Sequence, residues 1–248
     1  MNSRPVPGSS SGLKKRFWTE ASVTEDMGEF GVALDGRPVR LPGGTPLRVS
    51  SRALAEALAE EWSRAGRDDV ERRFGPLDLP LTRITGTMIE RVAPDRLHSI
   101  RTLMEYGKND ALCYWTDEGG ALAERQEAEL GPWLTWSATR LGADLIKTTG
   151  LMPVTQPPEA LGRLEATLIA TSDADLAGLG VAVPALGSLV LGLALMEGAL
   201  SVDEAVSLTT LDEQVQMARW GEDSALLDRI ATIAADLSDA VRFMTLAR

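Results

Sequence analysis

The sequence predicts an α+β N-terminal domain, a small antiparallel sheet with a helix on it, followed by an all-α C-terminal domain. Three observations carry this expectation. Short alternating apolar runs with turn residues between them are confined to residues before about 42. Apolar residues recur at helical spacing from about residue 50 onward, and strand signals fade from Leu81. The expected division is a small β-hairpin-containing domain over residues 13–80 and a helical domain over residues 81–248.

The hairpin is the first element. Phe30, Val32 and Leu34 fall on one face, Asp35-Gly36 follows, and Val39 and Leu41 lie on the return strand. Asp-Gly supplies the positive backbone dihedrals of a tight primed turn, and Pro42 with Gly43-Gly44 ends the second strand. A helix comes next: Leu54, Leu58 and Trp62 recur four apart behind the cap candidates Ser50 and Ser51, with Gly66 at the C-terminus. That stripe places Trp62 in the core.

The C-terminal part reads as one helix after another. Pro94 opens a helix carrying Leu97, Ile100, Leu103 and Met104, and another carries Leu130, Leu134 and Leu141. Val181 to Leu195 is the most apolar stretch. It holds Pro184, Gly187, Ser188 and Gly192 and falls short of the ~20 residues that a bilayer span needs, so it is expected to be a buried helix. Ser201 and Glu204 form a capping box for a helix with Leu208, Leu211, Val215 and Ala218 on one stripe, closed by Gly221. Ile230, Ala234, Leu237, Val241 and Met244 mark the last helix.

Composition narrows the function. Acidic residues outnumber basic ones 36 to 25, and the net charge of −11 opposes binding to nucleic acid or to an anionic membrane face. The basic cluster Lys14-Lys15-Arg16 reads as a solvated arm, and no membrane insertion is expected. The single cysteine, Cys113, allows no internal disulfide and fits a reducing compartment such as the cytoplasm. Met1 to Gly12 reads as a flexible tail.

Catalytic chemistry has little to work with. One histidine, His98, sits on a predicted amphipathic helix. Gly8-Ser9-Ser10-Ser11-Gly12 has the spacing of a nucleophile elbow without the strand before it, and Gly178-Leu179-Gly180 lacks the third glycine of a dinucleotide loop. Adjacent carboxylates such as Glu60-Glu61, Asp68-Asp69 and Asp117-Glu118 point about 100° apart on a helix and read as solubilising charges. Around Asp173 and Asp175 the glycine-punctuated calcium-loop spacing is missing. The expectation is a binding protein with no catalytic residue, metal or cofactor.

The sharpest candidate surface is Leu211 to Gly221. As a helix it turns Leu208, Leu211 and Val215 to the core and gathers Glu213, Gln216, Met217 and Trp220 on the other side. A carboxylate beside a methionine and an indole offers an apolar contact with a charged anchor. Asp212, Glu213, Gln216 and Trp220 are therefore the candidate partner-binding residues. A purely structural account, with Trp220 packed against the final helix and Glu213 solvated, fits the spacing slightly better.

Eight short words in order give the chain a family resemblance. They are Lys15-Arg16-Phe17-Trp18, Leu34-Asp35-Gly36-Arg37-Pro38-Val39, Glu61-Trp62, Pro80-Leu81-Thr82, Asp110-Ala111-Leu112-Cys113-Tyr114, Pro132-Trp133-Leu134-Thr135-Trp136, Gly187-Ser188 and the Leu211 to Gly221 segment. Together they resemble the assembly chaperones that bind the alpha subunit of the ATP synthase F(1) sector in mitochondria and some bacteria. The resemblance implies a small mixed domain before a helical one, no cofactor and no reaction. It also implies a monomeric partner of the unassembled alpha subunit that releases it to beta, in the bacterial cytoplasm or the equivalent mitochondrial matrix. It places a functional acidic position on Glu213 and a family tryptophan on Trp62. Trp115 departs from the pattern, where an arginine commonly follows Cys-Tyr, so a contact made by that arginine does not carry over. The rival readings are a hydrolase with a carboxylate pair assembled by the fold and a permanent structural subunit of a complex.

Overall fold

The computed structural model describes residues 13–149, 153–221 and 223–248; the Gly8 to Gly12 segment and the expected tail lie outside them. The chain divides into two compact units, one running to Gly86 and including Leu246–Arg248, the other spanning Thr87–Thr245.

In the first unit, β1 (Lys14–Lys15) precedes β2 (Ala21–Asp26), β3 (Glu29–Leu34), β4 (Arg37–Pro38) and β5 (Arg48–Val49). The sheet order is β2-β3-β4, all antiparallel, with β5 also pairing β3. Both hairpin turns need consecutive left-handed residues, which the chain supplies as Met27-Gly28 (φ 53° and 82°) and Asp35-Gly36 (φ 48° and 77°). Asp35 also accepts hydrogen bonds from the N–H groups of Thr19 and Glu20 at 2.9–3.2 Å. β3 departs from strict alternation: Val32, Ala33 and Leu34 are all buried, because α1 (Arg52–Arg64) packs on the sheet.

Helix α1 starts at Ser51, whose side chain accepts from the Leu54 N–H at 3.3 Å, and ends before Gly66 at φ 66°. Beyond it β6 (Arg73–Phe74) returns to pair with β1, and α2 (Pro80–Thr87) follows. Glu61 corrects the sequence reading. It is buried, and its carboxylate accepts from the Leu81 N–H (2.6 Å), the Thr82 N–H (2.9 Å) and the Thr82 hydroxyl (2.9 Å). A residue expected to be solvated thus holds the otherwise orphan donors at the start of α2.

The second unit is built of α3 (Arg96–Lys108), α4 (Ala121–Glu129), α5 (Gly131–Trp136), α6 (Pro158–Ala170), α7 (Asp173–Leu186), α8 (Leu189–Glu197), α9 (Val202–Thr209), α10 (Leu211–Trp220) and α11 (Ser224–Ala247). Among the described residues a two-residue parallel pair, β7 (Tyr114–Trp115) with β8 (Thr148–Thr149), is the sheet structure of this unit. Two expected single helices are each broken. Val181 to Leu195 turns at Gly187 (φ 64°) and restarts behind Ser188, whose hydroxyl accepts from the Leu191 N–H at 3.0 Å. The helix from Ser201 keeps its capping box and its Gly221 end but breaks at Thr210.

The α7–α8 corner is the core of this unit. Residues 189–195 are buried on every face, and α7 and α8 pack so closely that a Cβ on Gly192 would lie 2.5 Å from the Val183 side chain. Leu97, expected on the apolar stripe of α3, is exposed in the first turn, whereas Ile100, Leu103 and Met104 are buried. Among the described residues no helix is long and apolar enough to cross a membrane.

Candidate functional site

The site grows from the corner between α9 and α10. Thr210 leaves helical geometry (φ −111°, ψ 21°) while its hydroxyl donates to the Val206 carbonyl at 2.7 Å. Gln214 spans the corner, its amide donating to the Ser207 carbonyl (3.2 Å) and the Thr210 hydroxyl (3.1 Å). The break resets the helix phase, so the single expected stripe does not continue. Leu211 is buried, Leu208 and Val215 are half-buried, and Ala218 is exposed.

On α10 the carboxylates of Asp212 and Glu213 have different partners. Asp212 is exposed and accepts from the side chain of the buried Gln126 on α4 at 3.1 Å. Gln126 is itself fixed by accepting from the Thr116 N–H at 2.8 Å. Glu213 pairs with Arg229 of α11 at 2.6 Å, and its side chain is 22% exposed. The account that buries Trp220 and solvates Glu213 is overturned at both residues. Trp220 is 72% exposed, with the Arg219 guanidinium 5.3 Å from its ring, because nine residues of helix set it on the face of α10 opposite the buried Leu211.

Asp212, Glu213 and Gln216 come together on the rim of a half-open groove of about 460 Å³. Its floor includes Leu112, Leu130, Leu191 and Leu211, and its opposite wall is the Ala111 to Tyr114 turn. That turn is held from below by Asp110, a fully buried carboxyl accepting from the N–H groups of Leu112 (3.1 Å) and Val190 (3.0 Å). Burial pushes the Asp110 carboxyl up to about 6, and burial with the nearby Asp110 pushes the Cys113 thiol up to about 12, so Cys113 is unreactive. Trp220 does not line the groove.

Trp62 lies in the other unit and is half-buried. Its ring meets Trp18 at 5.2 Å and Phe74 at 5.9 Å, both edge-on. Its backbone carbonyl accepts from the Trp18 indole at 3.0 Å, and its own indole N–H is buried without a hydrogen-bond partner among the described residues.

Most of the recurring sequence words are joints of the fold. Arg16, expected in a solvated arm, is instead buried and donates to the carbonyls of Ser63 and Ala65 at the end of α1 (2.7 and 2.9 Å), Glu61 holds Leu81 and Thr82, and the Ala111 N–H donates to the Gly187 carbonyl at 3.0 Å. Sequence reasoning missed Gln126, Arg229 and the groove wall at Ala111. Gln126 carries no periodic signal, and the ion pair to Arg229 spans a loop. Among the described residues no group of three or more metal-ligating side chains is present.

Comparison with known proteins gives a consistent picture. Residues 15–138 match the family described as ATP12 chaperone protein, and α10 lies beyond that stretch. The crystal structure of Atp12 from Paracoccus denitrificans is 37% identical, with a TM-score of 0.84 over 94% of this chain and 98% of that one. The Atu1473 protein from Agrobacterium tumefaciens is 34% identical, with a TM-score of 0.86 over 95% of this chain and 87% of that one. The mitochondrial protein atp12 of Schizosaccharomyces pombe is 26% identical over 239 residues, covering 91% of this chain and 80% of its own length.

Proposed function

The chain belongs to the ATP12 chaperone protein family, and on that premise we propose that it holds the unassembled alpha subunit of the ATP synthase F(1) sector and releases it to beta. It does so as a monomer in the bacterial cytoplasm, with no cofactor and no reaction of its own. A free alpha subunit exposes apolar surface destined for its neighbours, and such surface aggregates unless covered. Release requires that beta compete for that surface, so the chaperone contact is moderate in size and partly polar.

The observation that carries this reading is the exposed Trp220 on the same helix as the groove rim of Asp212, Glu213 and Gln216. An outward indole on an acidic helix is the composition of a partner-binding patch, since tryptophan is a frequent interface anchor. The carboxylates are already engaged, Asp212 by Gln126 and Glu213 by Arg229, which favours recognition over hydrolysis. Trp62 supports the fold of the first unit.

The test is co-expression with the cognate alpha subunit in the absence of beta. Wild type is expected to keep alpha soluble and to co-purify with it, and Glu213→Lys, checked for folding, is expected to lose both. Alpha that stays insoluble and unbound beside wild type would sink the reading.

A further inference from the structure

We infer that the outer face of the β1–β6 ribbon is a second docking surface for the alpha subunit, taking a segment in which an apolar side chain is flanked by aspartate or glutamate. This rests on the chaperone reading, gives the first unit a part in holding the client, and uses residues that the reading leaves aside. Burial alternates from Lys15 to Trp18: Arg16 and Trp18 are buried, whereas Lys15 and Phe17 face solvent, Phe17 with 77% of its surface exposed. The two inward residues are pinned. The Arg16 N–H donates to the Arg72 carbonyl at 2.8 Å, its guanidinium donates to the carbonyls at the end of α1, and the Trp18 indole donates to the Trp62 carbonyl at 3.0 Å. Phe17 is therefore held outward from a fixed backbone, and among the described residues its ring contact is Trp18, edge-on at 5.2 Å. An aromatic side chain presented in this way costs little to order at an interface. More apolar surface lies along the same ribbon. Val70 before β6 is fully exposed, Leu77 after it is 86% exposed, and Leu13 lies against Gly75 at the strand's end while remaining half exposed. Exposed apolar residues scattered singly are ordinary, but four on one two-stranded ribbon and the turns that flank it form a patch.

Charge decides what covers this patch. Residues 13–17 and 66–77 carry six basic side chains against three acidic ones, in a chain whose net charge is −11. Two of those acids, Asp69 and Glu71, are taken up by Arg73 at 3.6 and 3.2 Å. Lys14 and Lys15 are exposed and form no ion pair among the described residues. Burial, and then the neighbouring Arg72 and Arg67, hold the Arg16 guanidinium below its ordinary pKa, which marks the positive charge gathered here. The ribbon is thus a cationic and apolar surface on an acidic protein. An acidic segment with an apolar side chain satisfies both features, and a basic or wholly polar segment does not. Nucleic acid and anionic membranes offer the charge, but as extended polyanions they are repelled by the rest of the chain.

The experiment uses the full chain co-expressed with its alpha subunit in the absence of beta. Phe17→Ala, and separately Lys14→Glu combined with Lys15→Glu, are each expected to lower recovered alpha about tenfold, the scale of an interface hot spot, with the unfolding midpoint of the chaperone unchanged. A photo-crosslinking amino acid in place of Lys15 is expected to label an alpha segment in which an apolar residue lies beside aspartate or glutamate, and added salt is expected to reduce that labelling. The lysine pair alters no packed side chain, so it decides the matter if Phe17→Ala shifts the midpoint. Wild-type recovery in a variant that keeps its midpoint, or labelling of a basic alpha segment or of a second copy of the chaperone, overturns the ribbon while leaving the chaperone reading intact. Lysine-dependent binding to phosphatidylserine vesicles in place of alpha labelling does the same. If wild type itself recovers no alpha, the chaperone reading falls and the ribbon proposal with it.

Discussion

At the scale of single residues, the carboxylates divide into those that hold the chain together and those that face outward. Glu61 caps the first turn of α2 with both oxygens. Glu61→Ala leaves the Leu81 and Thr82 N–H groups buried and unpaired, and is expected to cost about 3 kcal/mol, read as a lowered urea midpoint. Asp110 makes a different prediction. Its carboxyl is raised from 3.8 to about 6 by burial, so the folded state holds that proton more tightly than the unfolded chain. The resulting contribution is full below 3.8 and is lost as the pH rises through about 6. Asparagine does not titrate. The stability of wild type measured against Asp110→Asn should therefore fall as the pH is raised through that window and level off above it; a flat difference would contradict the assignment.

At the scale of elements, two helix corners shape the groove. The first, at Gly187-Ser188, anchors the Ala111 to Tyr114 wall through the Ala111 N–H and through Asp110. It works because α7 and α8 approach at Gly192, where any side chain meets Val183. Gly192→Ala should cost about 1–3 kcal/mol by overpacking, measured as a shift in thermal midpoint, despite alanine being the better helix former. The second corner, at Thr210, is gentler and is held by side chains: the Thr210 hydroxyl bonds back to Val206, and Gln214 reaches across to Ser207. It turns one amphipathic helix into two, α9 and α10, with independent phases.

At the scale of the whole molecule, the net charge of −11 opposes self-association by like-charge repulsion. A large exposed indole on such a protein has no folding role to lose. Trp220→Ala is expected to leave the unfolding midpoint unchanged while reducing co-purified alpha, and raising salt should weaken wild-type binding more than that of Asp212→Asn, because screening acts on the charged partner. An equal salt response would argue that the client contact at α10 is apolar throughout.

The sequence by itself determined the fold class, the Asp35-Gly36 hairpin, the Ser51 and Ser201 caps and the Gly66 and Gly221 helix ends, because each depends on a local dihedral preference or a donor three residues away. It also placed Asp212, Glu213 and Gln216 on one helix. Only the tertiary structure decided that Glu61 is a buried joint, that Val181 to Leu195 is two helices, and that Trp220 is exposed. It alone assembled the groove, whose wall at Ala111, rim at Asp212 and internal ion pair from Glu213 to Arg229 come from distant parts of the chain. Periodicity reports which face of an isolated helix is apolar. Which partner covers that face, and where a helix restarts, depends on long-range packing that local spacing does not encode.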